Sequence, residues 1–78
     1  MNDVMKALTE VFREVFDDPE IILTDETTAD DIEGWDSLSH INLIVTIETR
    51  FNVRFKQKEA ISFKNVGELA KSIESKLS

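Results

Sequence analysis

The chain has 78 residues, 41% hydrophobic and 32% charged, enough for one small globular domain over 1–78 and for no second core. It has no cysteine and a single histidine, which excludes disulfides, thiolate zinc sites and thiol nucleophiles and leaves little for a His-rich metal site. A net charge of -7 disfavours nucleic acid and anionic membrane as partners.

Val4, Leu8, Val11, Phe12 and Val15 recur at helical spacing and predict a first helix over residues 1–16. Asn2 or Asp3 is placed to cap it, and Asp17-Asp18-Pro19 to stop it. A long acidic connection follows to Asp36, pinned by Ile21, Ile22, Leu23 and Ile32, with one short turn beginning at Thr28. Asp36 is suited to cap a third segment, a long helix from Ser37 to about Phe51 that Asn52 closes. Val53 and Phe55 read as an extended loop rather than a strand, since nothing is there to pair with them, and a short helical turn is expected near 59–62. Val66, Leu69, Ala70, Ile73 and Leu77 then form the stripe of a last helix, with Asn65 and Glu68 as its capping box. The expected fold is all-α, a four-helix bundle of three long helices and one short one. No apolar run approaches the ~20 residues of a membrane span, and the charged N-terminus lacks a signal-peptide core. A soluble cytoplasmic protein is expected.

Charge is unevenly placed: residues 1–48 hold thirteen acids and two bases, residues 49–78 three acids and seven bases. On charge alone the simpler reading, a charged surface whose halves attract, is preferred to a docking site for basic partners. Hydrophobic patterning says more. At ~100° per residue, the helix after Asp36 has a polar arc of Ser39, Asn42, Thr46, Thr49 and Arg50, and apolar residues fill the rest. Leu43, Ile44, Ile47 and Phe51 account for core contact. Leu38, Ile41 and Val45 are left over as an exposed apolar patch beside Ser37, of the kind that marks a partner or ligand surface.

Three chemistries compete for this segment. With Gly34 at the sixth position of a calcium loop, Ala29 falls first and His40 twelfth, so an EF-hand is rejected. Ser37 and His40 share a helix face, but no nucleophile elbow surrounds the serine and no second carboxylate is placed to orient the histidine, so a hydrolase is disfavoured. The third is a phosphodiester on the Ser37 hydroxyl, which the free N–H groups and dipole of a helix start would favour.

Gly34-Trp35-Asp36-Ser37-Leu38, followed by Ser39-His40-Ile41-Asn42-Leu43-Ile44, resembles the attachment segment of acyl carrier proteins. The resemblance extends over essentially the whole chain, from its length to the order of its helices. It implies that Ser37 accepts 4′-phosphopantetheine from coenzyme A and that acyl groups ride on the new thiol as thioesters. Asp36 becomes the acidic neighbour used during transfer, close to the transferase's magnesium. Leu38, Ile41 and Val45, with Glu48, match positions presented to partner enzymes. The resemblance implies a carrier, a monomer and not itself an enzyme, that meets a phosphopantetheinyl transferase and the acyl-loading and acyl-processing enzymes of fatty-acid or polyketide biosynthesis.

The chain departs from the fatty-acid-synthesis pattern along its second long helix. Ser39, Asn42, Thr49 and Arg50 stand where acids are usual, only Glu48 is retained, and Arg54, Lys56 and Lys58 follow. A carrier dedicated to one pathway is therefore expected, with neutral Ser39 and Asn42 and cationic Arg50 weakening attraction to basic partners. The alternative is an unmodified helical adaptor that binds a protein through Leu38, Ile41 and Val45.

Overall fold

Val4, Leu8, Val11 and Phe12 are the buried residues of the first helix, α1, Asp3–Val15. The computed structural model describes residues 3–77, so the cap expected from Asn2 lies outside the described residues, and Asp3 sits inside the first turn. α1 does not run to the proline. Asp17 turns left-handed at φ 52°, and the Asp18 N–H reaches back to the Arg13 carbonyl at 3.0 Å, satisfying a terminal carbonyl of the helix. This turn ends the helix ahead of Pro19.

The connection over 16–36 lies against the core through Ile21, Leu23 and Ile32. Ile22, expected beside them, is 76% exposed, because successive side chains of an extended segment point to opposite sides. Thr28 opens a short turn of 3-10 helix, Ala29–Asp31, as expected, and the Asp31 carboxylate accepts the Thr28 N–H at 2.9 Å.

α2 spans Ser37–Phe51, α3 Gln57–Ala60 and α4 Val66–Leu77, and α1 packs against both α2 and α4. Leu8 and Phe12, Leu43 and Ile47, and Leu69 and Ile73 bring the three long helices into one core in which each of these side chains is at most 1% exposed. Leu77, expected to continue the α4 stripe, lies beyond the packed stretch and is 51% exposed. Asn52 closes α2 at φ 56°. Among the described residues there is no strand, and no helix is long and apolar enough to cross a membrane.

The first turn of α4 is completed by the long connection. The Val66 N–H donates to the Thr27 carbonyl at 2.8 Å and the Gly67 N–H to the Asp25 carbonyl at 2.9 Å, groups with no partner inside their own helix. A Cβ on Gly67 would lie 2.7 Å from the Asp25 carbonyl oxygen, so the two backbones meet this closely only over a glycine. The expected capping box is half formed: Asn65 Oδ1 accepts the Glu68 N–H, but the Glu68 carboxylate takes the N–H of Lys64 instead of Asn65.

α3 begins two residues before the turn expected at 59–62. Its start is fixed by Glu59, whose carboxylate accepts the Lys56 N–H at 2.9 Å from the third helical position. The same carboxylate receives the Lys76 ammonium of α4 at 3.1 Å, and that ammonium lies 5.2 Å from the Phe55 ring centre. The Lys56 N–H, then Lys76, holds the Glu59 carboxyl below the usual carboxylate range.

Candidate functional site

The segment from Gly34 to His40 is fixed by one serine and one aspartate. Asp36 Oδ1 accepts the N–H groups of Leu38 at 3.1 Å and Ser39 at 3.0 Å, so Asp36 is the N-cap of α2. Ser39 completes the box: its hydroxyl accepts the Asp36 N–H at 2.8 Å and donates to the Gly34 carbonyl at 2.6 Å. The Ser39 N–H first, then the Ser39 hydroxyl, whose one proton is shared between the Gly34 carbonyl and Asp36 Oδ1 at 3.0 Å, hold the Asp36 carboxyl below its ordinary value. Gly34 takes φ +88°, a conformation that glycine adopts without strain, and so returns the chain to the helix start.

Between these two anchors stands Ser37. It is exposed, in the first turn of α2, and its hydroxyl makes no hydrogen bond to another described residue. The helix start does not offer a phosphodiester the N–H cradle expected from the sequence, since Asp36 already occupies the Leu38 and Ser39 N–H groups. A group on Ser37 would project outward from a firmly capped helix.

Beside Ser37 lies the apolar face that the α2 wheel left over. Leu38 is 80%, Ile41 63% and Val45 53% exposed, and no described loop covers them. Ile61, just after α3, is a further exposed apolar side chain that helical spacing could not have revealed. Ser37, Ile41 and Ile61 all line one recess of about 410 Å³, with Leu69 and Phe63 among its other walls.

Trp35 and His40 also line it. The Trp35 indole N–H donates to His40 Nδ1 at 3.0 Å, the rings stack at 6.0 Å, and His40 Nε2 meets the Ala60 carbonyl at 2.5 Å. An indole nitrogen only donates, so Nδ1 must accept, and the ring proton sits on Nε2, donated to Ala60. Both ring nitrogens are engaged away from Ser37. His40 is therefore not placed to act as a base for the serine.

Three residues of the α2 charge argument have local partners. Arg50 pairs with Glu10 of α1 at 2.6 Å, Ser39 belongs to the cap, and Glu48 accepts the Phe55 N–H at 2.9 Å, which anchors the chain after α2. Asn42 and Thr49 remain as exposed neutral residues of the helix. The longest of these ties had no sequence signal, because Arg50 and Glu10 lie forty positions apart and His40 and Ala60 twenty; Ser39, three residues after Asp36, stood at the capping-box position.

Comparison with known proteins gives two findings. The family described as phosphopantetheine attachment site matches residues 6–73. A holo acyl carrier protein from Geobacter metallireducens, solved by solution NMR, is 51% identical, with a TM-score of 0.89 over 95% of this chain and 85% of its own. No curated protein sequence gives a significant match.

Proposed function

Because the chain belongs to the phosphopantetheine-attachment family of acyl carriers, we propose that Ser37 bears the 4′-phosphopantetheine arm and that residues 1–78 act as a single, monomeric carrier domain in the cytoplasm. The observation that carries this reading is the contrast between two neighbouring serines. Ser37 is exposed with an unengaged hydroxyl, whereas Ser39 is bound into the cap of α2. The residues suit the group: Ser37 offers an outward oxygen, and the apolar recess opens beside it. The arm supplies a terminal thiol on which acyl groups are held as thioesters.

Asp36 has a double role in this reading. Its carboxylate keeps the first turn of α2 rigid, which fixes where the Ser37 oxygen is presented. Its charge, held ionised by the donors around it, stands next to the serine and suits an incoming transferase that uses a magnesium ion. Leu38, Ile41 and Val45 form the contact face for the transferase and for the acyl-loading and acyl-processing enzymes. Glu48 borders that face, with its carboxylate engaged by Phe55. The carrier contributes delivery rather than catalysis, raising the effective concentration of a tethered substrate.

The face is apolar with neutral flanks, and from this we read a carrier dedicated to one pathway. Association with a strongly basic partner would lack the usual acidic steering along α2, so general fatty-acid elongation enzymes should bind the loaded protein weakly. Since Ser39 and Arg50 are structurally engaged, acids are best restored at Asn42 and Thr49. Asn42→Glu with Thr49→Glu should recover some of the elongation activity.

Incubation with coenzyme A, magnesium and a broad-specificity phosphopantetheinyl transferase, followed by intact-mass measurement, tests the reading. One added phosphopantetheine that is absent in Ser37→Ala is expected. No addition, under conditions that modify a control carrier, would instead favour the unmodified adaptor that binds a protein through Leu38, Ile41 and Val45.

A further inference from the structure

We infer that Lys64 is the counter-ion of the arm: its ammonium takes the phosphodiester on Ser37 and draws the root of the arm toward α4, away from the acidic connection. The inference rests on Ser37 as the attachment residue and adds a binding residue for the group it bears. Ser37 lies in the first turn of α2 and Lys64 just ahead of α4, and both line the same recess of about 410 Å³. Among the residues lining it, Lys64 is the only lysine or arginine and Asp36 the only carboxylate. Lys64 is also a cation without a partner. Arg50 pairs with Glu10 and Lys76 with Glu59, but the Lys64 ammonium makes no ion pair among the described residues. Its backbone, by contrast, is fixed. The Lys64 N–H donates to Glu68 Oε1 at 3.1 Å, and the Val66 and Gly67 N–H groups that follow are tied to the Thr27 and Asp25 carbonyls. A fixed backbone with a free four-carbon stem lets the ammonium follow a group at the mouth of the recess.

The local charge balance gives the pairing its purpose. A phosphodiester brings one negative charge to Ser37. It arrives beside Asp36, whose carboxyl is held ionised by Ser39, and near the turn Ala29–Asp31, which borders the recess through Ala29 and carries exposed Asp30 and Asp31. Like charges at such separations repel. The Leu38 and Ser39 N–H groups, which could have offset the new charge, are already taken by Asp36. At the start of α4 the N–H groups of Val66, Gly67 and Glu68 are occupied as well. Lys64 is the cation left on this rim, and a lysine meets phosphate as a mobile point charge. The pairing sets the direction of the arm at its root, toward α4. Leu38 and Val45, which do not line the recess, stay open to partners. The carrier thus supplies its own counter-charge, in keeping with the neutral flanks of α2, and a partner need not bring a basic residue to the phosphate.

The test compares the apo and phosphopantetheinylated protein by NMR, with the arm located on the chain by fragmentation mass spectrometry. On modification the ε-methylene resonances of Lys64 should shift several-fold more than those of Lys56, Lys58 and Lys71, which are exposed elsewhere. Raising sodium chloride from about 10 mM to about 1 M shortens the screening length from about 30 Å to about 3 Å and should return them toward their apo positions. Lys64→Gln removes the charge and keeps most of the stem. Its phosphorus resonance should differ from the native one at low salt and match it at high salt, while Lys64→Arg follows the native protein. The change in thermal midpoint on modification should be less favourable in Lys64→Gln than in the native chain by about 1–4 °C at low salt. A merely structural role would lower the apo and modified forms alike, and salt would not close the difference. Lys64 resonances that move no more than those of the other lysines overturn the inference, and so does the same midpoint change in Lys64→Gln as in the native chain. An arm on another residue, or none added, is a different result: it overturns the assignment of Ser37, and the inference with it.

Discussion

Residues 16–36 and residues 52–65 both join long helices with little regular structure, yet they are held by different forces. The first connection is fastened by burial, with Ile21, Leu23, Ile32 and Thr27 packed inside and two backbone hydrogen bonds closing the start of α4. The second buries only Val53 among its hydrophobic residues, and α3 within it buries none. Phe55, Ala60 and Phe63 pack against the core only in part, and polar ties add to them: Glu48 to the Phe55 N–H, Glu59 to Lys76, and His40 to the Ala60 carbonyl. Fully buried apolar contact is lost only when the core opens, whereas partly buried contacts and polar ties can open locally. The longer connection is therefore expected to open less readily than the shorter, which forms one side of the recess beside Ser37. Loop length is a poor guide to flexibility when the anchors differ in kind.

Leu23→Ala attacks the first connection and should have the largest effect, a loss of about 2–4 kcal/mol measured by urea unfolding. A cost comparable to an exposed substitution would mean that the connection lies outside the cooperative core. Gly67→Ala attacks its tie to α4. Alanine favours a helix by about 1 kcal/mol, but the Cβ collides with the Asp25 carbonyl, and a net loss of about 1–2 kcal/mol is expected. A stabilised Gly67→Ala protein would show that the loop yields easily.

Asp36 ends the first connection and starts α2, and Asp36→Ala should lower the thermal midpoint by several degrees at neutral pH. Its carboxyl is held below the ordinary value of 3.8, so its contribution is present above that pH and is lost as pH falls through the lower folded value. The gap between the native protein and Asp36→Ala should stay constant from neutral pH to about 5 and narrow below 3.8. A gap that persists undiminished at lower pH would deny the ionised carboxylate its role in the cap. Glu59→Gln, the smallest of the four in overall stability, probes the second connection. Hydrogen exchange of the Gln57–Ala60 amides should quicken while α1 and α4 stay protected. Unchanged exchange in α3 would mean that burial, not the polar tie, holds it.

The three long helices were legible because each buries a stripe, and a stripe repeats often enough to be counted. Asp36 and Asn52 marked the ends of α2 through their own backbone preferences. α3 was misplaced by two residues because four residues carry no period, and its anchor, Lys76, lies seventeen positions from Glu59. Ile22 and Leu77 looked like core residues because hydrophobicity does not say where a neighbouring element ends. In the site, the surplus apolar arc on α2 was readable as an exposed face. The roles of Arg50 and His40 were not, since Glu10 and Ala60 are brought near only by the fold, whereas Ser39 and Glu48 have partners within seven residues whose geometry the pattern of residue types does not specify.

The proposed attachment rests on Ser37 having no hydroxyl partner among the described residues while Ser39, only two residues away, is bound. Fragmentation mass spectrometry of the modified protein measures that difference directly, by locating the phosphopantetheine on the chain. The arm is predicted on Ser37 alone, with Ser39 unmodified, and Ser39→Ala is predicted to accept it at a reduced rate through the weakened cap. An arm found on Ser39, or one still added to Ser37→Ala, would contradict the assignment.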